Sequence, residues 1–254
     1  MKHRLCILSA VLAVALLSGM AWGYPTRFTA MTGLVDLPTA DVAASGSAEL
    51  AADYAKLAGE EKVWAIRVLA GVSDSAELGI AYTRLKDGVN DHFTGIGAKV
   101  ALMKAETADF GLAFGGSYVN GTGDNILDLY AVASKEIATA APEAYAAAAP
   151  RARLRGHLGL MLTRVSNGVD GDELKPFVGF DVTTPEGASL VAEYKWSKFG
   201  ADQAAAAIRY PVSPAMTVQA GAARAGSVLG QDDYRFTVGL SYAFATAGGT
   251  GATY

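Results

Sequence analysis

Residues 234–244, near the carboxyl end, read YRFTVGLSYAF and carry the pattern that decides the fold. Large apolar side chains occupy alternate positions from Tyr234 to Phe244, and the positions between them hold Arg, Thr, Gly, Ser and Ala. Such alternation is typical of a β-strand, because successive side chains of a strand point to opposite sides of the sheet. This strand therefore has one bulky apolar face and one small or polar face.

The same division recurs along the chain between residues 47 and 244, in about twelve segments separated by turn-forming clusters. Clear examples are residues 109–118, 153–163 and 189–196. At a rise of about 3.3 Å per residue and a tilt near 40°, roughly ten residues cross about 25 Å of membrane. The sequence therefore predicts an all-β protein, an antiparallel up-and-down transmembrane β-barrel of about twelve strands.

The polar faces indicate which side of each strand points inward. A transmembrane barrel turns its large apolar side chains outward to lipid and encloses its polar ones. Here the charged residues recur in mid-strand among Gly and Ala, which suits a narrow, wet lumen. The predicted lumen-lining residues are Arg67, Glu77, Lys99, Asp128, Arg153, Arg155, His157, Asp181, Glu193, Lys195, Arg209 and Arg235. Their surplus of cations would favour anions in an open pore, whereas ion pairs among them would fill a plugged barrel, and both alternatives stay open.

Aromatic side chains at segment ends predict a girdle at the membrane surface. The girdle residues are Tyr118, Tyr194, Trp196, Tyr210, Tyr242 and Phe244. Connections after even-numbered segments are short and those after odd-numbered segments are longer, which predicts that both termini lie on the periplasmic side. The long Ala-rich connection 137–150 breaks this rule and is either a short helix that caps the lumen, a linker, or a sign of a miscounted strand.

The amino terminus has the three parts of a signal peptide. Lys2, His3 and Arg4 precede an apolar run at residues 5–20, and the following Ala-Trp-Gly fits cleavage after Gly23. The only cysteine, Cys6, lies in this leader, so the mature chain is expected to form no disulfide and no Cys-ligated metal site. We expect export to the outer membrane of a Gram-negative bacterium, with outer-membrane lipids as partners and the barrel-assembly machinery acting during insertion. Residues 245–254 would form a tail.

Composition and motifs argue against several classes of function. The net charge of −4 comes with no basic stripe, which excludes nucleic acid as a partner. No Gly-x-Ser-x-Gly motif occurs, and only His92 and His157 remain after cleavage of the leader. The acidic, Gly-rich stretches 121–125 and 167–173 lack the spacing of an EF-hand. We therefore predict no enzymatic activity, no metal and no cofactor.

The segment before the first strand, residues 24–46, alternates poorly and contains TGLVDLPTAD at residues 32–41. Pro38 has a fixed φ and no N–H, so this stretch is not a central strand. It is either an ordered turn that leads into the first strand or a partial plug of the lumen.

This opening also carries a family resemblance. A Gly-Leu-x-x-x-Pro-Thr-Ala run, a small-Gly turn at residues 45–46 and GVSDSAELG at residues 71–79 resemble the start of the YjbH-like family of outer-membrane proteins. The motifs cover approximately residues 31–85, and the family's common Pro-Asp-Gly turn reads Ala-Ser-Gly here. The resemblance implies an outer-membrane barrel, linked in some members to export or assembly of extracellular polysaccharide.

Taken together, these observations predict an outer-membrane barrel with a transport, export-linked or structural role, acting on a small solute or a polysaccharide. Two alternatives come from other classes of protein. A soluble periplasmic β-barrel that binds an apolar ligand would carry its large apolar side chains inside. An outer-membrane hydrolase would require His157 for activity.

Overall fold

The structure is a computed structural model that describes residues 31–57, 62–86, 90–105, 108–121, 125–137, 152–166, 171–197, 202–226 and 232–245. The described strands are β1 Ser47–Leu57, β2 Lys62–Ser73, β3 Ala76–Lys86, β4 Asn90–Met103, β5 Gly111–Asn120, β6 Asn125–Ile137, β7 Arg153–Ser166, β8 Gly171–Thr183, β9 Ser189–Lys195, β10 Gln203–Ser213, β11 Met216–Gly226 and β12 Asp232–Ala245. Within these ranges no helix has the length and apolarity needed to cross a membrane.

Each strand pairs antiparallel with the next strand in sequence, and β12 pairs with β1 to close the barrel. The ladder that closes the barrel includes the whole of β1, from Ser47 opposite Ala245 to Leu57 opposite Arg235. A closed sheet has no free edge, so its backbone N–H and C=O groups find partners within the protein. The predicted antiparallel up-and-down barrel of about twelve strands is confirmed.

Side chains alternate between the outside and the lumen along every strand. The apolar faces point outward: Leu158 is 65% exposed and Phe236 is 70% exposed. The charged faces point inward, and Arg67 and Lys99 are each only 1% exposed. The outer surface of the barrel is therefore apolar and its lumen is polar, whereas a water-soluble barrel has the reverse arrangement.

The two ends of the barrel differ in their connections. At the end where β1 begins, called here the turn end, β2 and β3 are joined across Asp74 and Ser75, and β10 and β11 across Pro214 and Ala215. The register shifts in β2, β4 and β10 all lie at this end. The opposite end is called the loop end. The predicted signal peptide, the connection 137–150 beyond Ile137, and the tail beyond Ala245 lie outside the described residues.

Candidate functional site in the barrel lumen

Residues 31–43, called here the lumen segment, lie inside the barrel. Met31, Leu34 and Leu37 are at most 2% exposed. The segment packs against inward side chains from several sides of the wall: Met31 and Ala43 form a cluster with Leu69 of β2, while other segment residues cluster with β5–β8 and with β9–β11. Residues 31–43 therefore fill the space that the strands enclose.

The lumen segment is folded back on itself as a tight hairpin. The N–H of Leu34 donates to the carbonyl of Leu37 at 2.8 Å, and the N–H of Thr39 donates to the carbonyl of Thr32 at 3.2 Å. Pro38 forms a β-bridge with Gly33, and because proline has no N–H it leaves no backbone donor unpaired. The hairpin satisfies part of its own backbone, and the remaining backbone groups at its tip face the barrel wall.

Glu193 of β9 holds the tip of the hairpin. Its carboxylate accepts hydrogen bonds from the N–H groups of Val35 and Asp36, both at 2.9 Å, and of Leu37 at 3.1 Å. Hydrogen bonds from three N–H groups that converge on one carboxylate are strong, because the acceptor is charged. The wall thus recognises the backbone of the tip more than its side chains.

Two arginines complete the contacts at the tip. Arg209 of β10 donates to the carbonyl oxygens of Gly33 and Leu34 and to Gln219 at 2.8 Å. Arg235 of β12 pairs with the carboxylate of Asp36. The tip is therefore bound by side chains from three neighbouring regions of the wall.

Glu77 of β3 and Lys99 of β4 hold the base of the hairpin. They pair with each other at 2.9 Å, and both side chains are fully buried. Glu77 accepts hydrogen bonds from the N–H groups of Thr32 at 2.8 Å and Ala43 at 2.6 Å. Lys99 donates to the carbonyl oxygens of Thr32 at 2.8 Å and Thr39 at 3.1 Å. A buried ion pair needs such additional partners, because both charges have lost their water.

A third set of contacts comes from β6, β7 and β8. Ser134 bonds to Nδ1 of His157 at 2.7 Å, and Nε2 of His157 bonds to Asp181 at 2.8 Å. If Nε2 carries the proton toward Asp181, Nδ1 accepts the Ser134 hydroxyl, and the free lone pairs of Ser134 face the N–H of Ala40, which donates to it at 2.9 Å.

These residue types match a Ser-His-Asp triad, but their arrangement differs from one. The serine contacts Nδ1 where a hydrolase serine contacts Nε2, and the lumen segment covers the hydroxyl. The series of polar contacts from Ser134 through His157 and Asp181 extends to Arg155, which pairs with Asp181 at 3.0 Å and with Asp41 at 2.7 Å. The arrangement orients groups that hold the lumen segment.

Two inward glycines leave room for the lumen segment and the residues after it. A Cβ atom on Gly71 would lie 1.9 Å from the carbonyl oxygen of Ala44, and one on Gly179 would lie 2.1 Å from Cδ1 of Leu34. Because Gly71 faces backbone atoms, larger residues there would displace the chain. Gly179 faces the end of a flexible side chain, which can move.

Most of the predicted lumen residues occupy inward positions. Those that are nearly inaccessible are Arg67, Glu77, Lys99, His157, Asp181, Glu193 and Arg209, and those that are partly exposed are Asp128, Arg155, Lys195 and Arg235. Arg153 departs from the prediction. It is the first residue of β7, its side chain is 62% exposed, and it pairs with Glu136 at the turn end.

Sequence reasoning missed several inward charges. Asp53 pairs with Arg67, and Glu173 pairs with Lys175 at 3.2 Å. Glu49, like Asp53, lies on the polar face of β1, so period two could have found both. The expected surplus of cations is therefore wrong for the described side chains. Apart from the Arg153–Glu136 pair, the wall has equal numbers of cations (Arg67, Lys99, Arg155, Lys175, Lys195, Arg209, Arg235) and acids (Glu49, Asp53, Glu77, Asp128, Glu173, Asp181, Glu193).

The predicted girdle residues lie on outward positions or at strand ends, and the structure adds partners to them. Tyr194 and Trp196 have ring centroids 4.7 Å apart at the loop end. Tyr54 and Trp64, which the sequence analysis did not include, are 4.6 Å apart at the same end. Tyr118 and Tyr210 are exposed outward, and Tyr242 stacks on Phe244 at the turn end.

Outside the strands, Asp202, directly before β10, contacts residues at the end of β9 and just after it. It accepts hydrogen bonds from the hydroxyl of Tyr194 and, at 2.9 Å, from the N–H of Ser197. The Tyr194 hydroxyl holds the pKa of the Asp202 carboxyl below its usual value. No cluster of three or more metal-ligating side chains occurs in the part of the chain that the structure describes.

Comparison with solved structures places this geometry among known barrels. The KdgM porin superposes with a TM-score of 0.57 at 10% identity, covering 76% of this chain and 98% of that chain. The chain has the fold of an outer-membrane porin. The NanC porin gives a TM-score of 0.54 at 10% identity, with 76% and 98% covered. Omp33 of Acinetobacter baumannii gives 0.53 at 10% identity, with 79% and 99% covered. No family model and no curated protein matches the sequence of this porin-like barrel.

Proposed function

We propose that the protein is an outer-membrane barrel that passes a small hydrophilic solute, and that the lumen segment is a plug that closes it at rest. The observation that carries the proposal is the set of hydrogen bonds that Glu77, Lys99, Glu193 and Arg209 make to the backbone of the plug. These bonds are additional to the strand ladders. The plug can therefore leave while the barrel stays closed on itself.

The outward face supports placement in the outer membrane. Leu158, Leu160, Phe236 and Leu240 are between 44% and 70% exposed, and similar residues surround the barrel. Exposed apolar surface on this scale is costly in water and favourable against acyl chains. A soluble periplasmic barrel would bury these side chains, so the geometry favours the membrane over that alternative.

The charge of the wall supports a neutral or zwitterionic solute. With the plug gone, the described side chains that face the lumen would include equal numbers of cations and acids, so strong selectivity for anions is not expected. Side chains that now bond to peptide N–H and C=O groups could bond equally to hydroxyl and amide groups of a sugar. A KdgM porin has been solved in complex with disordered oligogalacturonate. Together with the YjbH-like resemblance, this makes an oligosaccharide or a segment of exopolysaccharide our preferred solute class.

A disulfide lock tests the plug directly. The contact between Gly179 and Leu34 makes G179C/L34C a suitable pair, because the mature chain is otherwise free of cysteine. We expect the refolded pair variant to be silent in planar bilayers when oxidised and to conduct, at least as rare openings, when reduced. Each single cysteine variant is the matched control and should not respond to reductant.

Three further results would count against the proposal. Equal conductance in the oxidised and reduced lock would show that the plug does not close the conducting path. Silence of a variant in which residues 31–43 are replaced by Gly and Ser, with heat-modifiable migration intact, would exclude a pore and leave a structural barrel. Recovery of the wild type in the soluble periplasmic fraction without detergent would contradict the membrane location.

A further inference from the structure

The outer wall carries a group of cations at the loop end of β1–β3. Lys56, Lys62, Arg84 and Lys86 occupy outward positions and are exposed. This group is called here the cationic patch. In the strand register Lys56 lies opposite Lys62, and Lys62 lies opposite Lys86. Three lysines on three adjacent strands therefore stand side by side in one row.

Such a row is unfavourable by itself. Residues directly opposite each other in an antiparallel pair have Cβ atoms about 5 Å apart, and like charges at that spacing destabilise the sheet. The outward positions of β1, β2, β3 and β4 carry no acid among the described residues. Glu60, Glu61 and Asp87 belong to the adjoining connections, which lie outside those residues. The row would be stabilised by an anion that bridges the lysines.

The height of the cationic patch on the wall indicates what kind of anion would reach it. Along β1 and β2 the outward side chains change from apolar (Leu50, Ile66) to aromatic (Tyr54, Trp64) and then to lysine. Acyl chains, the interface and charged headgroups follow each other in the same order in a lipid leaflet. The lysines therefore lie at the level of the headgroups, directly beyond the aromatic pair.

Among the residues that the structure describes, the rest of the outer wall has no comparable group. At the loop end Arg164 is paired with Asp172 at 2.6 Å, and Arg224 of β11 lies opposite Ala204 and Tyr234, so no second cation faces it across either ladder. At the turn end Lys135 stands alone on the outward positions of the described strands. The cationic patch is thus confined to one sector and to one end of the barrel.

We propose that the cationic patch binds the phosphate of an anionic lipid in the leaflet at the loop end, with the lipid's chains packed against Tyr54 and Trp64. Lysine is a point-charge phosphate ligand, and several lysines near a membrane surface attract anionic headgroups. The inference requires the barrel to span a membrane, as proposed above, but it does not depend on the plug or on conduction.

The test is a lipid titration of the purified, refolded protein in neutral detergent. The readout is the midpoint temperature at which the folded band is lost on a heat-modifiability gel. The probes are phosphatidic acid, phosphatidylcholine and inorganic phosphate. The variant is K56Q/K62Q/K86Q, and the control K135Q/R153Q/R224Q removes three exposed cations elsewhere on the barrel.

We expect phosphatidic acid to raise the midpoint of the wild type and of the control. K56Q/K62Q/K86Q should need at least tenfold more of this lipid for the same shift, which corresponds to about 1.4 kcal/mol. Without lipid, this variant should melt above the wild type, because the repulsion in the row is gone. Should the triple variant fail to fold, K62Q alone removes the central lysine and should give a smaller change in the same direction.

Three outcomes would overturn the proposal. The first is an unchanged response to phosphatidic acid in the K56Q/K62Q/K86Q variant. The second is an equal response of the wild type to phosphatidylcholine, which would mean that charge is not recognised. The third is a full response to inorganic phosphate at the same concentration, which would assign the patch to a soluble anion. Each outcome can occur with a normally inserted, conducting barrel, so it is distinguishable from failure of the proposed function.

Discussion

Glu193→Gln is the substitution that most directly tests how the plug is held. The carboxylate now accepts three backbone N–H groups of the hairpin tip. A hydrogen bond to a charged group contributes about 1.5–3 kcal/mol, whereas a neutral one contributes about 1 kcal/mol. The amide also turns an NH₂ donor toward N–H donors. We estimate a loss of about 3 kcal/mol, which raises the ratio of displaced to seated plug roughly 100-fold.

Two assays report on this change. Single-channel recording in planar bilayers should show a higher open probability for Glu193→Gln than for the wild type. A Val35→Cys background allows the second assay, because this buried tip residue should react faster with a soluble thiol reagent when the plug is displaced. Glu49→Gln is the control: Glu49 is a buried inward acid that bonds to Ser241 of the wall.

The reasoning would be refuted if Glu193→Gln changed neither the open probability nor the labelling of Val35→Cys. Faster labelling without conductance would separate the two claims. It would show that Glu193 retains the plug and that the vacated lumen is still not a pore. Equal effects in the Glu49→Gln control would mean that replacing any buried acid loosens the barrel.

Three other expectations follow from single contacts. Gly71→Ala should displace the chain at Ala44 and lower the midpoint of thermal unfolding, whereas Gly71→Ser should do so more strongly; normal midpoints for both would contradict the tight approach. Leu158→Arg should cost about 2–4 kcal/mol in equilibrium folding into vesicles, and Leu158→Ala far less, if the outward face meets lipid. Tyr194→Phe should let the pKa of Asp202 rise toward its usual value, so the stabilisation that Asp202 gives when ionised should fade with falling pH over a higher range than in the wild type; an unchanged carboxyl titration by NMR would oppose this.

Several features of the barrel could be predicted because they are local. Period two from Tyr234 to Phe244 is visible in the sequence, and it fixes a strand and its two faces whatever the partner. The placement of charges in mid-strand set the direction of those faces. The prediction that Arg153 lines the lumen was wrong for a local reason as well, because the end of a strand is open to water on both faces.

The candidate site depended on contacts that are distant in sequence. The sequence around Pro38 indicated an ordered, non-strand segment. It did not decide whether this segment is a turn that leads into β1 or a plug in the lumen. Its partners Glu193 and Arg209 are more than 150 residues away. Ser134 carried no signal of its own, because a single serine on a polar face gives no indication of which N–H it will accept.

The sequence by itself determined the number of strands, the outward direction of their apolar faces and the polar character of the lumen, because side-chain alternation and chain composition are properties of each segment alone. Only the tertiary structure decided that residues 31–43 lie between Glu77 and Glu193, and that Lys56, Lys62 and Lys86 stand in one row. Both depend on strand register and on closure of β12 against β1. Register and closure arise from the pairing of the whole sheet, so no single segment encodes them.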